Sequence, residues 1–546
     1  MPKVTPKIAY FSMEFALSPK IPNFAGGLGV LAADMMKSCA DMKVPVVGVS
    51  LIYHWDDDPA KAFDFSKYFI KRPETVKVKI EDREVTVGVW EYRVKGLNGF
   101  EVPIYFLSSF SPENKRWDRD LTKELYTTNQ YTRLCQEVIL GIGGVRMLRA
   151  LGYSDISYFH MNEGHAAFLT FERLKETNFD DEKVRASCRF TTHTPIAAGH
   201  DRFPYKLAQQ VLTDALPWHI KKLASSAELH TTRLALSMSG KANAVSQKHR
   251  EVCQKMFPEY KFIGITNGVH HNSWVIGAMA DLFDKHLPNW REDPYVFAKA
   301  GTLPDDALKK AHLKNKKALV DFINSDDKYF PYHKDTLEKD DYFDEKTLTM
   351  TFSRRFVPYK RPLLLFHDLG KLREIGYKKL QIIYAGHCSP NDEFCNNVMA
   401  ELKHLEKELR GQVRLAVMPD RNLDVTALLV SGSDVWLNNP EPPLEASGTS
   451  GMKSAMNGGM NLSVADGWWI EACEKNPRSG FTFGTDISGH DEIDAEELYG
   501  ALQNIIDCYY KNPAEWADHM KQAISLGAYF NTHRCVSEYL NQLWTE

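Results

Sequence analysis

Short apolar, β-branched runs alternate along this chain with longer stretches of helical spacing. The runs occupy residues 7–11, 44–53, 156–160, 189–192, 347–352, 380–385 and 413–417, and each is followed by a polar or glycine-rich turn. Apolar strands separated by helical segments predict parallel sheets wrapped by crossover helices, with ligands beyond the carboxyl ends of the strands. Two such series occur, so the predicted fold is α/β, with two Rossmann-like parallel-sheet domains facing across a cleft. The expected division is residues 1–268 for the first domain and 269–520 for the second. A final helical segment, 521–546, is expected to cross back to the first. The Lys- and Asp-rich stretch 293–345 reads as helices and loops leading into the second domain, with helical spacing over Asp305–Ser325.

Length and composition agree with this picture and narrow the function. The 546 residues exceed what one hydrophobic core organises. Hydrophobic residues make up 43% and charged residues 25%, as in ordinary globular chains. A net charge of −4 argues against broad binding to nucleic acid or anionic membranes. The nine cysteines are scattered and form no CxxC pair, so reduced buried thiols in a cytoplasmic protein are expected. Met1-Pro2-Lys3-Val4-Thr5 lacks an apolar signal core, and no stretch reaches the roughly 18 apolar residues that span a bilayer.

The chemistry concentrates in a few strand-end segments. Glu445-Ala446-Ser447-Gly448-Thr449-Ser450-Gly451-Met452-Lys453 places small hydrogen-bonding residues and glycines before a lysine on a helix start. Such a start offers free N–H groups and a positive helix end to an anion. Lys453 could clamp phosphate or form a Schiff base with an aldehyde cofactor. Gly26-Gly27-Leu28-Gly29 opens another helix, either as an anion loop or as a tight turn. In Ser353-Arg354-Arg355-Phe356-Val357-Pro358-Tyr359-Lys360-Arg361, four cations follow an apolar strand. They suit a phosphate, and the alternative is a solvated basic helix start.

Other segments carry weaker signals. His160-Met161-Asn162-Glu163-Gly164-His165 does not match a zinc-ligand spacing and fits a polar sugar-binding loop better. His193 ends a strand, as a substrate contact or a satisfied turn histidine. Asn267-Gly268 is a turn signal first. Gly141, Gly143 and Gly144 lie within a helical run and read as close-packing positions. Asp56-Asp57-Asp58 reads as an exposed turn, and Trp468-Trp469 either stacks on sugar or packs in the core.

Together these segments resemble the α-glucan phosphorylases, the glycogen, starch and maltodextrin phosphorylase family, in its short prokaryotic branch. The resemblance runs in order from Ile8 to Glu471, and its most specific piece is the pyridoxal-phosphate motif Glu-Ala-Ser-Gly-Thr-x-x-Met-Lys at 445–453. It implies a GT-B fold and pyridoxal 5′-phosphate attached to Lys453, with its phosphate held by Gly448, Thr449, Ser450 and Arg354. It implies that Arg355 and Lys360 bind substrate phosphate under the loop at Gly26 and Gly27. By the same resemblance the His193 carbonyl faces the anomeric carbon, Asn267 and Glu445 hold glucosyl hydroxyls, and His165 belongs to the active-site loop. No metal is implied.

The implied reaction is reversible phosphorolysis of a terminal α-1,4-linked glucose from a glucan or maltodextrin by inorganic phosphate, giving α-D-glucose 1-phosphate with retention. A homo-oligomer is compatible with this reading; nucleic acid and membrane partners are not expected. Asn162-Glu163-Gly164 departs from the Asn-Asp-Thr of the long animal enzymes, and Gly386-His387-Cys388-Ser389-Pro390 stands where many relatives have Gly-Lys-Ala-x-Pro. The shorter chain shows no counterpart of the regulatory N-terminal extension, so phosphorylation control and nucleotide activation are not expected. Two alternatives remain at this point: a glycogen-synthase-like transferase using a nucleotide sugar, which would lack the cofactor lysine, and an inactive glucan-binding protein.

Overall fold

The apolar runs pair as parallel strands in two separate sheets. The structure is a computed structural model and describes residues 6–53, 63–325, 341–386, 388, 392–418 and 422–546. The Asp56-Asp57-Asp58 turn lies outside the described residues. Two compact units emerge: residues 1–245, 250–265 and 532–546 form the first, and residues 246–249 and 266–531 the second. The return to the first unit thus begins at Thr532, later than the expected 521. The helix Pro513–Ser525 stays within the second unit, where its Met520 and Ile524 pack against Gly458.

The first unit holds a nine-stranded sheet. In chain order its strands are β1 (Ile8–Phe11), β2 (Val46–Leu51), β3 (Ile70–Ile80), β4 (Arg83–Lys95), β5 (Glu101–Ser108), β6 (Tyr158–Asn162), β7 (Cys188–Thr191), β10 (Lys241–Ala244) and β11 (Phe262–Gly264). A small antiparallel pair, β8 (Arg202–Phe203) and β9 (Leu229–His230), stands apart. The spatial order is β11-β10-β7-β6-β1-β2-β5-β4-β3. Pairing is parallel from β11 to β5, and β3 and β4 add an antiparallel edge. β1, β2, β6 and β7 are almost wholly buried, which is why they read as continuous apolar runs.

The second unit holds six parallel strands: β12 (Leu348–Ser353), β13 (Leu380–Ala385), β14 (Arg414–Met418), β15 (Val435–Asn438), β16 (Met460–Val464) and β17 (Gly480–Phe483). Their order, β14-β13-β12-β15-β16-β17, is the Rossmann order with its switch point between β12 and β15. The basic segment follows β12 and the segment 439–453 follows β15, so both leave the sheet at this switch point. In the first unit the order reverses beside β1, which places the loops after β1 and β6 together in the same way.

Two smaller expectations resolve here. The glycines near 141 lie in a helical run with a π turn, Ile139–Gly143, and a Cβ at Gly141 would stand 2.4 Å from the Leu169 nitrogen. They are close-packing positions. The expectation of nine reduced thiols is corrected, because Cys388 and Cys395 form a disulfide with Cα atoms 5.5 Å apart. Cys388 follows β13, and Cys395 lies in the first turn of the helix Glu393–Glu408. Six of the remaining seven cysteines are buried and Cys473 is half-buried. No helix of the described residues is long and apolar enough to cross a membrane.

Candidate active site

In the second unit, Gly448 adopts φ +94° and opens the helix Thr449–Met456. Glycine makes that left-handed turn without Cβ strain, and the turn leaves the first helical N–H groups unpaired within the helix. Lys453 is one turn further on, buried, with its Nζ 4.2 Å from the centre of the Trp274 ring. Asn457 fixes the far end by donating to the carbonyls of Lys453 (2.9 Å) and Trp274 (2.8 Å). Ser450 Oγ accepts from Trp436 Nε1 at 3.1 Å and from Arg354 at 3.4 Å. The Arg354 cation therefore reaches the start of the lysine helix.

Glu445 is the electrostatic centre of this region. Its Oε2 accepts from Arg354 Nη1 at 2.9 Å and from the Lys360 ammonium. All three side chains are buried. Burial alone would raise the Glu445 carboxyl, but Lys360 and Arg354 outweigh it and hold the carboxyl below its ordinary range. Burial lowers Lys360 to about 8 despite the opposing pull of Glu445. The Glu445 N–H donates to Asp466 Oδ2 at 2.7 Å, and burial raises that carboxyl to about 7.

The four cations after β12 have separate fates. Arg354 and Lys360 share Glu445. Arg361, at φ +46°, is satisfied by Asp491, Asp494 and the carbonyls of Asn439 and Pro440. It is a structural residue, unavailable to a ligand. Arg355 is exposed and makes no ion pair or hydrogen bond among the described residues. Trp468 is buried edge-on against Phe530 at 4.8 Å, so it belongs to the core and not to a sugar platform. Asn267 lies in the second unit, outside the domain expected to contain it. It is buried between Thr266, which donates to Glu471, and Gly268, where a Cβ would strike the Asn531 carbonyl.

In the first unit, the glycine loop is organised by a residue that sequence reading missed. Glu14 is buried, and its Oε2 accepts from the N–H groups of Ala25 (2.6 Å) and Gly26 (3.2 Å). Tyr126 donates to the other oxygen at 2.8 Å. A Cβ at Gly29 would lie 2.8 Å from Glu14 Oε2, so that glycine allows the carboxylate its place. The Cβ directions of Gly26 and Gly27 are open. Burial raises the Glu14 carboxyl, against the opposing hydrogen bonds from the loop and Tyr126. The available signal was an acid isolated in the apolar run Tyr10-Phe11-Ser12-Met13-Glu14-Phe15 directly after a strand.

The loops after β6 and β7 interlock. His193 Nε2 lies 2.7 Å from Asn162 Oδ1, and Asn162 donates to Ser12 Oγ at 3.1 Å. Glu163, strained at φ +76°, accepts from the His193 N–H at 2.7 Å and from Thr194 Oγ1 at 3.0 Å. Burial lowers the His193 imidazole to about 4, so it is neutral at pH 7. His165 is lowered to about 4 by burial and Arg133, although Asp201 stands 3.4 Å from its Nε2. An open cavity of ≈ 540 Å³ adjoins this pair, lined by Gln130, Ala197, His200, Asp201 and Arg202. His160 stays in the core, bonded to Thr191 and Trp544.

The carbohydrate phosphorylase family model matches residues 196–505. The whole chain is 34% identical to maltodextrin phosphorylase of Thermococcus litoralis, covering 71% of that protein. It is 30% identical to glycogen phosphorylase of Aquifex aeolicus, over 99% of this chain and 86% of that relative. An uncharacterized protein of Methanocaldococcus jannaschii is 29% identical, with 98% of this chain and 99% of that protein covered. The chain belongs to the carbohydrate phosphorylase family.

Proposed function

We propose that this chain catalyses reversible phosphorolysis, moving the terminal α-1,4-linked glucosyl unit of a glucan or maltodextrin to inorganic phosphate. The product is α-D-glucose 1-phosphate with retained configuration. The observation that carries this reading is Lys453: a buried lysine on a glycine-opened helix, with Arg354 reaching the helix start. The relatives named as maltodextrin and glycogen phosphorylases support it. A nucleotide-sugar transferase gives that lysine no role.

The residues fit pyridoxal 5′-phosphate. Ser447 Oγ and Arg354 Nε are buried without a hydrogen-bond partner among the described residues, and a phosphate would satisfy both. The N–H groups at Gly448, Thr449 and Ser450 would hold that phosphate, Arg354 would share its charge, and Lys453 would tether the aldehyde. When bound, the cofactor supplies a second phosphate beside the substrate phosphate, as proton donor or electrostatic partner.

The chain's own residues manage charge and position. Arg355 and Lys360 bind the substrate phosphate, which otherwise repels its neighbour strongly. That phosphate gives its proton to the glycosidic oxygen as the anomeric C–O bond breaks, and one of its oxygens forms the new bond on the same face. Glu445 engages both cations through Oε2, so Oε1 serves a glucosyl hydroxyl. In this reading the backbone at Gly26 and Gly27 is assigned to the substrate phosphate, and Asn267 and His165 to the glucosyl unit. Glu163 holds the His193 backbone, whose carbonyl dipole stabilises the oxocarbenium-like carbon.

The test is an assay of the purified protein with maltodextrin, following glucose 1-phosphate as phosphate is varied, with absorbance spectra before and after borohydride reduction. Phosphate-dependent product and a cofactor band altered by borohydride are expected. A cofactor-loaded protein that makes no glucose 1-phosphate would sink the reading.

A further inference from the structure

The helices Asp491–Lys511 and Pro513–Ser525 of the second unit meet at a single residue, Asn512. Its N–H donates to the Cys508 carbonyl at 2.9 Å, and its own carbonyl accepts from Trp516 N–H at 2.9 Å. This tight turn brings Cys508 from the end of the first helix to Glu515 and His519, one turn apart on the second. Cys508 Sγ, a Glu515 carboxylate oxygen and a His519 ring nitrogen all lie within 4.8 Å of one another.

The histidine is oriented as a ligand. Its Nδ1 donates to the Arg478 carbonyl at 2.7 Å, which leaves the Nε2 lone pair 4.0 Å from Glu515 Oε1. Metal-bound imidazoles are commonly fixed by this kind of N–H to carbonyl bond. Arg478 is in turn held by Asp518 at 2.6 Å, and Phe481 packs against the imidazole at 5.3 Å. Ring orientation is therefore set from two sides, independently of any ion.

We propose that Cys508, Glu515 and His519 form a zinc site that clamps the two helices, with the fourth position open to water. A thiolate, an imidazole and a carboxylate suit Zn²⁺ and not Mg²⁺ or Ca²⁺, which take oxygen ligands. Cys508 is buried and Glu515 exposed, so the ion enters from the solvent side. On binding, the Cys508 thiol releases its proton to solvent and Sγ coordinates as thiolate. The site shares no residue with the groups assigned to phosphorolysis.

Co²⁺ reports the thiolate directly through its charge-transfer absorption. Titration of the reduced, untagged, metal-free chain should give that band with one Co²⁺ per chain. Zn²⁺ should abolish it by displacement. Cys508→Ser should lose the band, and Cys473→Ser should retain it. Glu515→Gln, at an exposed helix position, should keep the fold and weaken Zn²⁺ binding by more than about tenfold. No band in the unsubstituted chain, a band that survives Cys508→Ser, or unchanged Zn²⁺ affinity in Glu515→Gln would overturn the site.

Discussion

Two of the glycine turns that open helices, those before Gly27–Asp41 in the first unit and Thr449–Met456 in the second, are each built around a buried glutamate. Their electrostatics are opposite. At the turn before Gly27–Asp41, Glu14 takes the backbone N–H groups of Ala25 and Gly26 and forms no ion pair among the described residues, so burial leaves its carboxyl raised. At the turn before Thr449–Met456, Glu445 takes the Arg354 and Lys360 side chains, so its carboxyl is lowered and the helix N–H groups stay available. A glycine-opened helix therefore does not by itself identify a free anion site. What matters is which donors the chain has already used.

The largest expected effect breaks the second turn at its ligand end. Lys453→Ala should abolish the cofactor absorbance and reduce phosphorolysis by at least about 10³-fold, while the bonds of Glu445 to Arg354 and Lys360 stay in place. Near-full phosphorolysis without bound cofactor would contradict the lysine's assignment. Next comes the cluster itself. Glu445→Ala leaves two buried cations unpaired, and removing one partner of a buried pair costs about 3–5 kcal/mol. Urea unfolding measures it; a loss no larger than that of Glu14→Ala would erase the contrast between the two turns.

Arg355 separates binding from folding. It is exposed and makes no ion pair or hydrogen bond among the described residues, so Arg355→Ala should leave unfolding unchanged. Its loss should raise the KM for phosphate and lower turnover, together about 10²-fold in kcat/KM. Unchanged phosphate dependence in steady-state kinetics would remove it from the site.

The same contrast explains what was legible in the sequence. The fully buried strands β1, β2, β6, β7, β12, β13 and β14 appear as apolar runs because both faces are covered. The antiparallel strands β3 and β4 alternate with charged residues on the exposed side, and β15, β16 and β17 break their apolar positions with Asn438, with Asn461 and Ser463, and with Gly480 and Thr482, so none announced itself. Lys453, Glu445 and the basic segment stood out because their residue types are unusual at strand ends. Partner choice did not: the commitment of Arg361 to Asp491 and Asp494 depends on a helix about 130 residues away in the chain. Glu14 was hidden for the complementary reason, since its donors are backbone groups that any residue carries. The Cys388–Cys395 pairing depends on a close approach of the two Cα atoms that spacing alone does not define.

Lys360 sharpens the comparison through pH. Burial lowers its ammonium to about 8, against an unfolded-chain value of about 10.4. The cation is present below that folded value and lost above it, so kcat/KM for phosphate should fall about tenfold per pH unit above about 8. The linkage has the opposite sign: the unfolded chain binds more protons between the two values, so the stability contribution of Lys360 rises with pH there. Lys360→Arg keeps the charge and should move the alkaline limb upward. A limb that stays in place belongs to another group.

The smallest effect is expected at Glu14. Its hydrogen bonds come from neutral donors, and Gln retains one carbonyl to accept the Ala25 and Gly26 N–H groups. Glu14→Gln should therefore change stability at neutral pH by no more than about 1 kcal/mol. Because the folded carboxyl is raised, the native chain holds more protons than the unfolded chain between the unfolded and folded values. Its contribution is fully present below the unfolded value and is lost as pH rises through the folded one. Gln does not titrate, so the variant's unfolding free energy should lose this acid-side slope, whereas Glu445→Gln should lose a slope of the opposite sign. Equal slopes in urea titrations of the two variants across acid pH would show that the two carboxylates do not differ, and that the backbone cradle and the cation pair hold charge alike.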